Sequence, residues 1–134
     1  MAIATSTDDP SWARPLAALP AEATPFRTER SVRTGDVDTS QRLRLDGVAR
    51  YLQDIGIDNL EAVDAAHTDP LWIVRRTVID VHRPARFPQH LRLHRWCDAL
   101  STRWANVRVR LDDPHDDEDG PLIDTAGFWI DIGP

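Results

Sequence analysis

The chain has 134 residues, 41% of them hydrophobic, enough for one core and the usual size of a single domain. Its 16 basic residues are all arginine, a composition that fits a GC-rich genome, and 22 acids outweigh them to a net charge of -6, which opposes nucleic-acid binding. One cysteine, Cys97, excludes an internal disulfide framework and supplies no second thiolate for a structural zinc, so a reducing cytoplasm is the expected compartment.

Residues 1–25 carry Asp8 and Asp9 early and prolines at positions 10, 15, 20 and 25, unlike the basic start and unbroken apolar run of a signal peptide. They are expected to form a mobile N-terminal arm, with Trp12 and Leu16 as the side chains that would pin it. Residues 26–134 are expected to form a single domain. No stretch approaches the roughly 18 apolar residues of a membrane span. A first strand is expected near residues 28–36, ended by the turn at Gly35. The one clear helix follows: Leu45, Val48, Ala49, Leu52, Ile55, Gly56, Leu60 and Val63 recur at helical spacing, while Asp46, Arg50, Gln53, Asp54, Asp58 and Glu61 fall off the stripe. Thr39 or Ser40 is the expected cap at its start.

After Asp69-Pro70 the pattern alternates. Leu71 to His82 predicts one long strand, with Trp72, Val74 and Val78 on one face and Leu71, Ile73, Ile79 and Val81 on the other. With one face on the helix, the second is still too apolar for water, at about 1.5–3 kcal/mol per large side chain buried. A covering partner is therefore expected on this sheet, and Arg75 and Thr77 imply a cover that is not uniformly dry. Three more strands follow. Leu91, Leu93 and Cys97 share a face of the next. "TRWANVRVRL" sets Ala105, Val107, Val109 and Leu111 against Trp104, Asn106, Arg108 and Arg110. "PLIDTAGFWIDI" sets Leu122, Ala126, Phe128, Ile130 and Ile132 against Ile123, Trp129 and Asp131. A strand, a long helix and four strands in meander give an α+β fold, one long helix wrapped by an antiparallel sheet.

Few side chains suggest chemistry. His90 and His94 stand about 13 Å apart along a strand and cannot share an ion. The acidic run Asp112 to Gly120 lacks a calcium-loop register and reads as a solvated hairpin tip. No G-x-S-x-G elbow is present, and Cys97 within a strand reads as a packed side chain. Asp36 and Asp38 suit turns and a helix start. Trp72 and Trp96 suit a core or the wall of an apolar tunnel.

The "DVD" turn, the helix ending in "YLQDIGIDN", the run "LWIVRRTVIDVHRPARFPQHLRLHRW" and the closing "DTAGFWIDI" together resemble the N-terminal half of acyl-acyl carrier protein thioesterases. The resemblance covers Phe26 to about Ile132 and is most specific from Leu71 to Trp96. It implies a hotdog fold and hydrolysis of the thioester between a fatty acyl chain and a carrier protein, with no cofactor, metal or nucleotide. It implies a catalytic position at Asp38 and an acyl pocket formed by Leu45, Val48, Leu52 and Trp72. Gln41, Arg42 and Arg44 stand near the positions of the superfamily's Gly, His and Asn. This departure agrees with the two-hotdog members, whose catalytic Asp, Asn and His belong mainly to the second hotdog, and this chain ends where that one would begin. A second hotdog domain or a homodimer mate is the implied protein partner, with no nucleic acid and no membrane involved. The alternative reading is a non-catalytic acyl-binding or dimerisation lobe, which Arg42 and Arg44 favour for this chain alone.

Overall fold

A computed structural model describes residues 15–63, 71–116, 118 and 120–133. Strand β1 (Phe26–Ser31) leads through a 3-10 turn at Thr34–Asp36 to helix α1 (Leu45–Ala62), and then to β2 (Trp72–Val81), β3 (His90–Leu100), β4 (Trp104–Asp112) and β5 (Ile123–Asp131). The five strands form one antiparallel sheet in the order β1-β3-β4-β5-β2. The helix joins the two edge strands and lies on one face, the α+β arrangement expected from the pattern and the hotdog fold that the resemblance implied. The expected meander of four strands is corrected to three, β3-β4-β5, because β2 crosses the sheet to pair with β5. The first strand ends earlier than expected, because residues 34–36 form the 3-10 turn.

The register places opposed residues on a common face. Leu93 pairs with Leu111, Val109 with Thr125, and Leu111 with Ile123, all on the inner face beneath the helix. Val48, Tyr51 and Ile55 come down on them and are all but fully buried, as are Leu91, Leu93, Leu111 and Ile123. Burial of each aliphatic member contributes about 1.5–3 kcal/mol. Gly47 lets the helix start close in, since a Cβ there would lie 2.9 Å from Leu43 Cδ1 and 3.2 Å from the Asp36 carbonyl oxygen.

Three expectations are corrected. The helix buries a stripe rotated from the one predicted: Leu45, Ala49, Leu60 and Val63 are exposed, and Tyr51 is the central buried residue. Tyr51 wins because its hydroxyl donates to Asp36 Oδ2 at 2.6 Å while the Arg30 guanidinium covers its ring at 3.6 Å. Arg50 donates to the other Asp36 oxygen, and Arg30 Nη1 reaches Asp54 at 2.8 Å. Neither Thr39 nor Ser40 caps the helix. The N-cap is Arg44, with no side-chain cap, because Val37 and Leu43 form an extended bridge that ends the turn before the helix starts.

The third correction concerns β2. A bulge between Val74 and Arg76 adds a residue and reverses the alternation beyond it. Trp72 and Val74 therefore share the inner face with Thr77, Ile79 and Val81, while Ile73, Arg76, Val78 and Asp80 face outward. The unmet burial thus lies chiefly on the inner face of β2, which the helix does not reach.

Trp12 lies outside the described residues; Leu16 is half-buried, and the Ala17 carbonyl accepts from Arg108 Nη1 at 2.7 Å on the outer face.

Tyr51 is the sole tyrosine, and burial, then its bond to Asp36, pushes its pKa up to about 12 from 10.0. A phenol that holds its proton more tightly when folded contributes stability below its unfolded pKa and loses it as pH rises through the folded value. Stability should therefore fall by about 2 kcal/mol as pH rises from about 10 to 12. Tyr51→Phe should abolish that loss and cost about 1–2 kcal/mol at neutral pH by removing a donor from buried Asp36. Denaturant unfolding of both proteins at neutral and alkaline pH checks this, and an alkaline loss that persists in Tyr51→Phe would contradict it.

Candidate functional site: an apolar groove on the inner face

Because α1 lies toward the β1–β3 side, Trp72, Val74 and Thr77 of β2 and Trp129 of β5 are left exposed or only partly covered on the inner face. Two adjoining hollows of ≈ 400 and ≈ 690 Å³ occupy this space and share Gln53, Arg95, Val107 and Trp129 in their walls. One wall is the helix from Ala49 to Val63, about 21 Å at 1.5 Å per residue. The other is Trp72, Val74 and Thr77 of β2 with Trp129 of β5. Gly127 keeps the floor open, since a Cβ there would stand 3.0 Å from Trp129 Nε1. Toward the helix C-terminus the mouth is apolar, with Ile57, Leu60, Val63 and Leu100 all exposed. The size and apolar lining suit an extended hydrocarbon ligand.

The structure divides the residues predicted for this pocket. Leu52 and Trp72 line it from opposite walls. Val48 is wholly buried beneath the helix, and Leu45 is 60% exposed at its start; neither borders the groove. Trp129, Val107, Ile57, Leu60 and Arg95 were not foreseen. For Trp129 the available signal was the close of the last strand, where small Gly127 and large Trp129 alternate on one face.

Asp38 serves the turn. Its Oδ1 accepts from the backbone N–H of Ser40 (2.8 Å) and of Arg42 (3.0 Å), and its Oδ2 from Arg42 Nε (3.2 Å). The Arg42 backbone N–H, with that of Ser40 and the Arg42 charge, holds the carboxyl below the usual range, which makes it a weaker base. At the helix start Arg44 clamps Asp46 while reaching the Val37 and Gly35 carbonyls at 2.9 and 3.0 Å. Among the described residues no Asp, Glu or His lines the groove. His82, His90 and His94 each meet a carboxylate elsewhere, Asp124, Glu29 and Asp112 respectively. The groove is lined chiefly by apolar side chains, and its described walls include no Asp, Glu or His to act as a general base.

A helix laid on an antiparallel sheet, with an apolar groove along its flank, defines a hotdog domain of the thioesterase type. The chain belongs to the acyl-ACP thioesterase N-terminal domain family, which matches residues 23–133. An uncharacterized protein of Mycobacterium tuberculosis is 45% identical over 115 residues, 86% of this chain and 44% of that protein, so the chain spans less than half the length of this relative. Among solved structures, a 12:0-ACP thioesterase from Umbellularia californica superposes with a TM-score of 0.69 at 17% identity, over 78% of this chain and 44% of that one. A putative thioesterase from Pseudomonas aeruginosa gives 0.68 at 16% identity, over 78% and 81%. A 1,4-dihydroxy-2-naphthoyl-CoA thioesterase from Synechocystis gives 0.71 at 12% identity, over 82% and 85%. No helix among the described residues is long and apolar enough to cross a membrane.

Asp38→Asn keeps the Oδ1 acceptor of the turn and removes the charge. In the full protein it should leave thioester turnover within a few-fold of the parent, measured by release of free thiol. A loss of about 100-fold with an unchanged melting temperature would restore Asp38 to the chemistry.

Proposed function

We propose that this domain forms the acyl-chain site of a cytoplasmic thioesterase acting on fatty acyl chains carried by acyl carrier protein, and that the groove between α1 and β5–β2 receives the acyl chain. The observation that carries this reading is the groove itself: it is long and largely apolar, in a chain of the acyl-ACP thioesterase family. Leu52 and Trp72 stand on its two walls and contact the chain; Leu45 and Val48 act on it only through the placement of the helix.

Hydrolysis needs a group that activates water or attacks the carbonyl, and donors at the developing oxyanion. Asp38 is already engaged by the turn, and no Asp, Glu or His among the described residues lines the groove, which supports a second hotdog as the source of the chemistry. That lobe, or a second copy of this chain, docks along the β2 edge of the sheet and over the exposed Ile57, Leu60, Val63 and Leu100. The engaged state of Asp38 also favours a second reading, in which the domain alone binds acyl chains or dimerises without hydrolysing them.

Two outcomes test the proposal. Leu52→Trp fills the middle of the groove, so in the full protein it should shift preference toward shorter acyl chains while the melting temperature stays close to the parent's. Unchanged preference in a folded variant would assign Leu52 to packing alone. Sedimentation of the 134-residue chain at micromolar concentration should show self-association; a stable monomer would contradict docking through this face.

A further inference from the structure

The groove holds one full charge that the fold does not neutralise. Arg95 projects from the inner face of β3, opposite Val109 and between Leu93 and Cys97 along the strand. Its side chain runs beneath Gly56, where a Cβ would come within 3.9 Å of Nε and Nη2, and Nη1 donates to Asn59 Oδ1 at 2.8 Å. Among the described residues that neutral amide is the only hydrogen-bond partner of the guanidinium, and none of their carboxylates forms an ion pair with it. Burial lowers its pKa from the ordinary value. Two other buried or part-buried arginines, one on each face, are treated differently. Arg30 meets Asp54 and the Tyr51 ring, and Arg108 meets Asp124 with the Thr125 and Ala17 carbonyls. Arg95 also borders both hollows of the groove and a third, of ≈ 540 Å³, that opens toward Trp96 and Asp98.

We infer that Arg95 makes the groove selective for acyl chains that carry an oxygen acceptor along their length, a hydroxyl, keto or carboxylate oxygen, over plain saturated chains of equal length. This rests on the acyl-groove reading above. A guanidinium has five N–H donors, and one is used on Asn59. A saturated chain laid over the others strips their water and returns nothing, whereas an oxygen at that depth accepts from them. Discrimination of this kind is steep because it penalises the ligand that leaves a polar group unpaired. Arginine suits the role, since it keeps its charge when desolvated.

The test compares kcat/KM of the full protein for a hydroxyacyl-pantetheine thioester and its saturated counterpart of the same length. The parent should favour the hydroxyacyl substrate by about tenfold to a hundredfold, the range of a hydrogen bond to a charged group. Arg95→Met should collapse the ratio toward unity. Should Arg95→Met fail to fold, Arg95→Gln, which keeps a polar fork without charge, should still reduce the ratio. Equal rates for the two substrates in the parent, or a ratio unchanged in a folded Arg95 variant, would overturn the inference and leave the thioesterase reading standing. A variant that loses stability with its ratio intact overturns it too, because Arg95 then pairs with whatever protein covers the groove. If neither thioester is hydrolysed, the thioesterase reading is what fails. The same chains as non-hydrolysable amides, followed by quenching of Trp72 and Trp129, then decide the selectivity alone: preferential binding of the hydroxylated amide upholds it, equal binding ends it.

Discussion

The carboxylate of Asp36 fixes where the helix lies, and the rest of the site follows from that. Buried in the turn before α1, it accepts from the Tyr51 hydroxyl and from Arg50, so it holds two successive residues of the helix. Arg30 closes the arrangement from β1 by covering the Tyr51 ring and pairing with Asp54 one turn further on. An aliphatic stripe alone would let the helix settle over the centre of the sheet. The polar contacts all pull toward β1, and the helix is held to one side. Buried polar contacts are directional where hydrophobic contact is not, so they determine the helix's position while Val48, Ile55 and the strand residues supply most of the apolar burial.

An off-centre helix leaves the β2 side of the inner face only partly covered, and the sequence keeps that side largely apolar. The β2 bulge turns Thr77, Ile79 and Val81 to the same side as Trp72 and Val74. Gly127 gives up a side chain so that Trp129 can lie along the floor. Ile57, Leu60 and Val63, outside the core, become the far wall and mouth of a groove. Residues that look like imperfect packing in a lone domain are the ones that the proposed acyl chain and covering lobe would bury.

Most of the architecture was legible from periodicity, because strand alternation and a long helical stripe report burial directly. The element order and the shared faces of β3, β4 and β5 could be read that way, but the expected meander of four strands holds only for β3-β4-β5, since β2 pairs with β5 and not with β3. Two further features could not. The β2 bulge depends on pairing with β5, and no residue in "VRR" announces it; one inserted residue then inverts every side chain beyond. Tyr51 was passed over because a pattern of aliphatic residues does not register an aromatic ring whose hydroxyl finds a buried acid fifteen positions earlier. That same rotation of the helix carries Leu45 and Val48 away from the groove and leaves Leu52 in it. Asp38 matched a superfamily position by its place in the chain, and its contacts with Ser40 and Arg42 appear only once the turn is folded.

The central claim is that the space between α1 and β5–β2 is the acyl-chain site. A crystal structure of the full protein with a non-hydrolysable acyl-pantetheine analogue tests it most directly. The account predicts the hydrocarbon extended along the helix from Ala49 toward Val63, against Leu52 and Trp72 and above Trp129. A chain seated wholly elsewhere, with this groove filled by protein side chains, would contradict it.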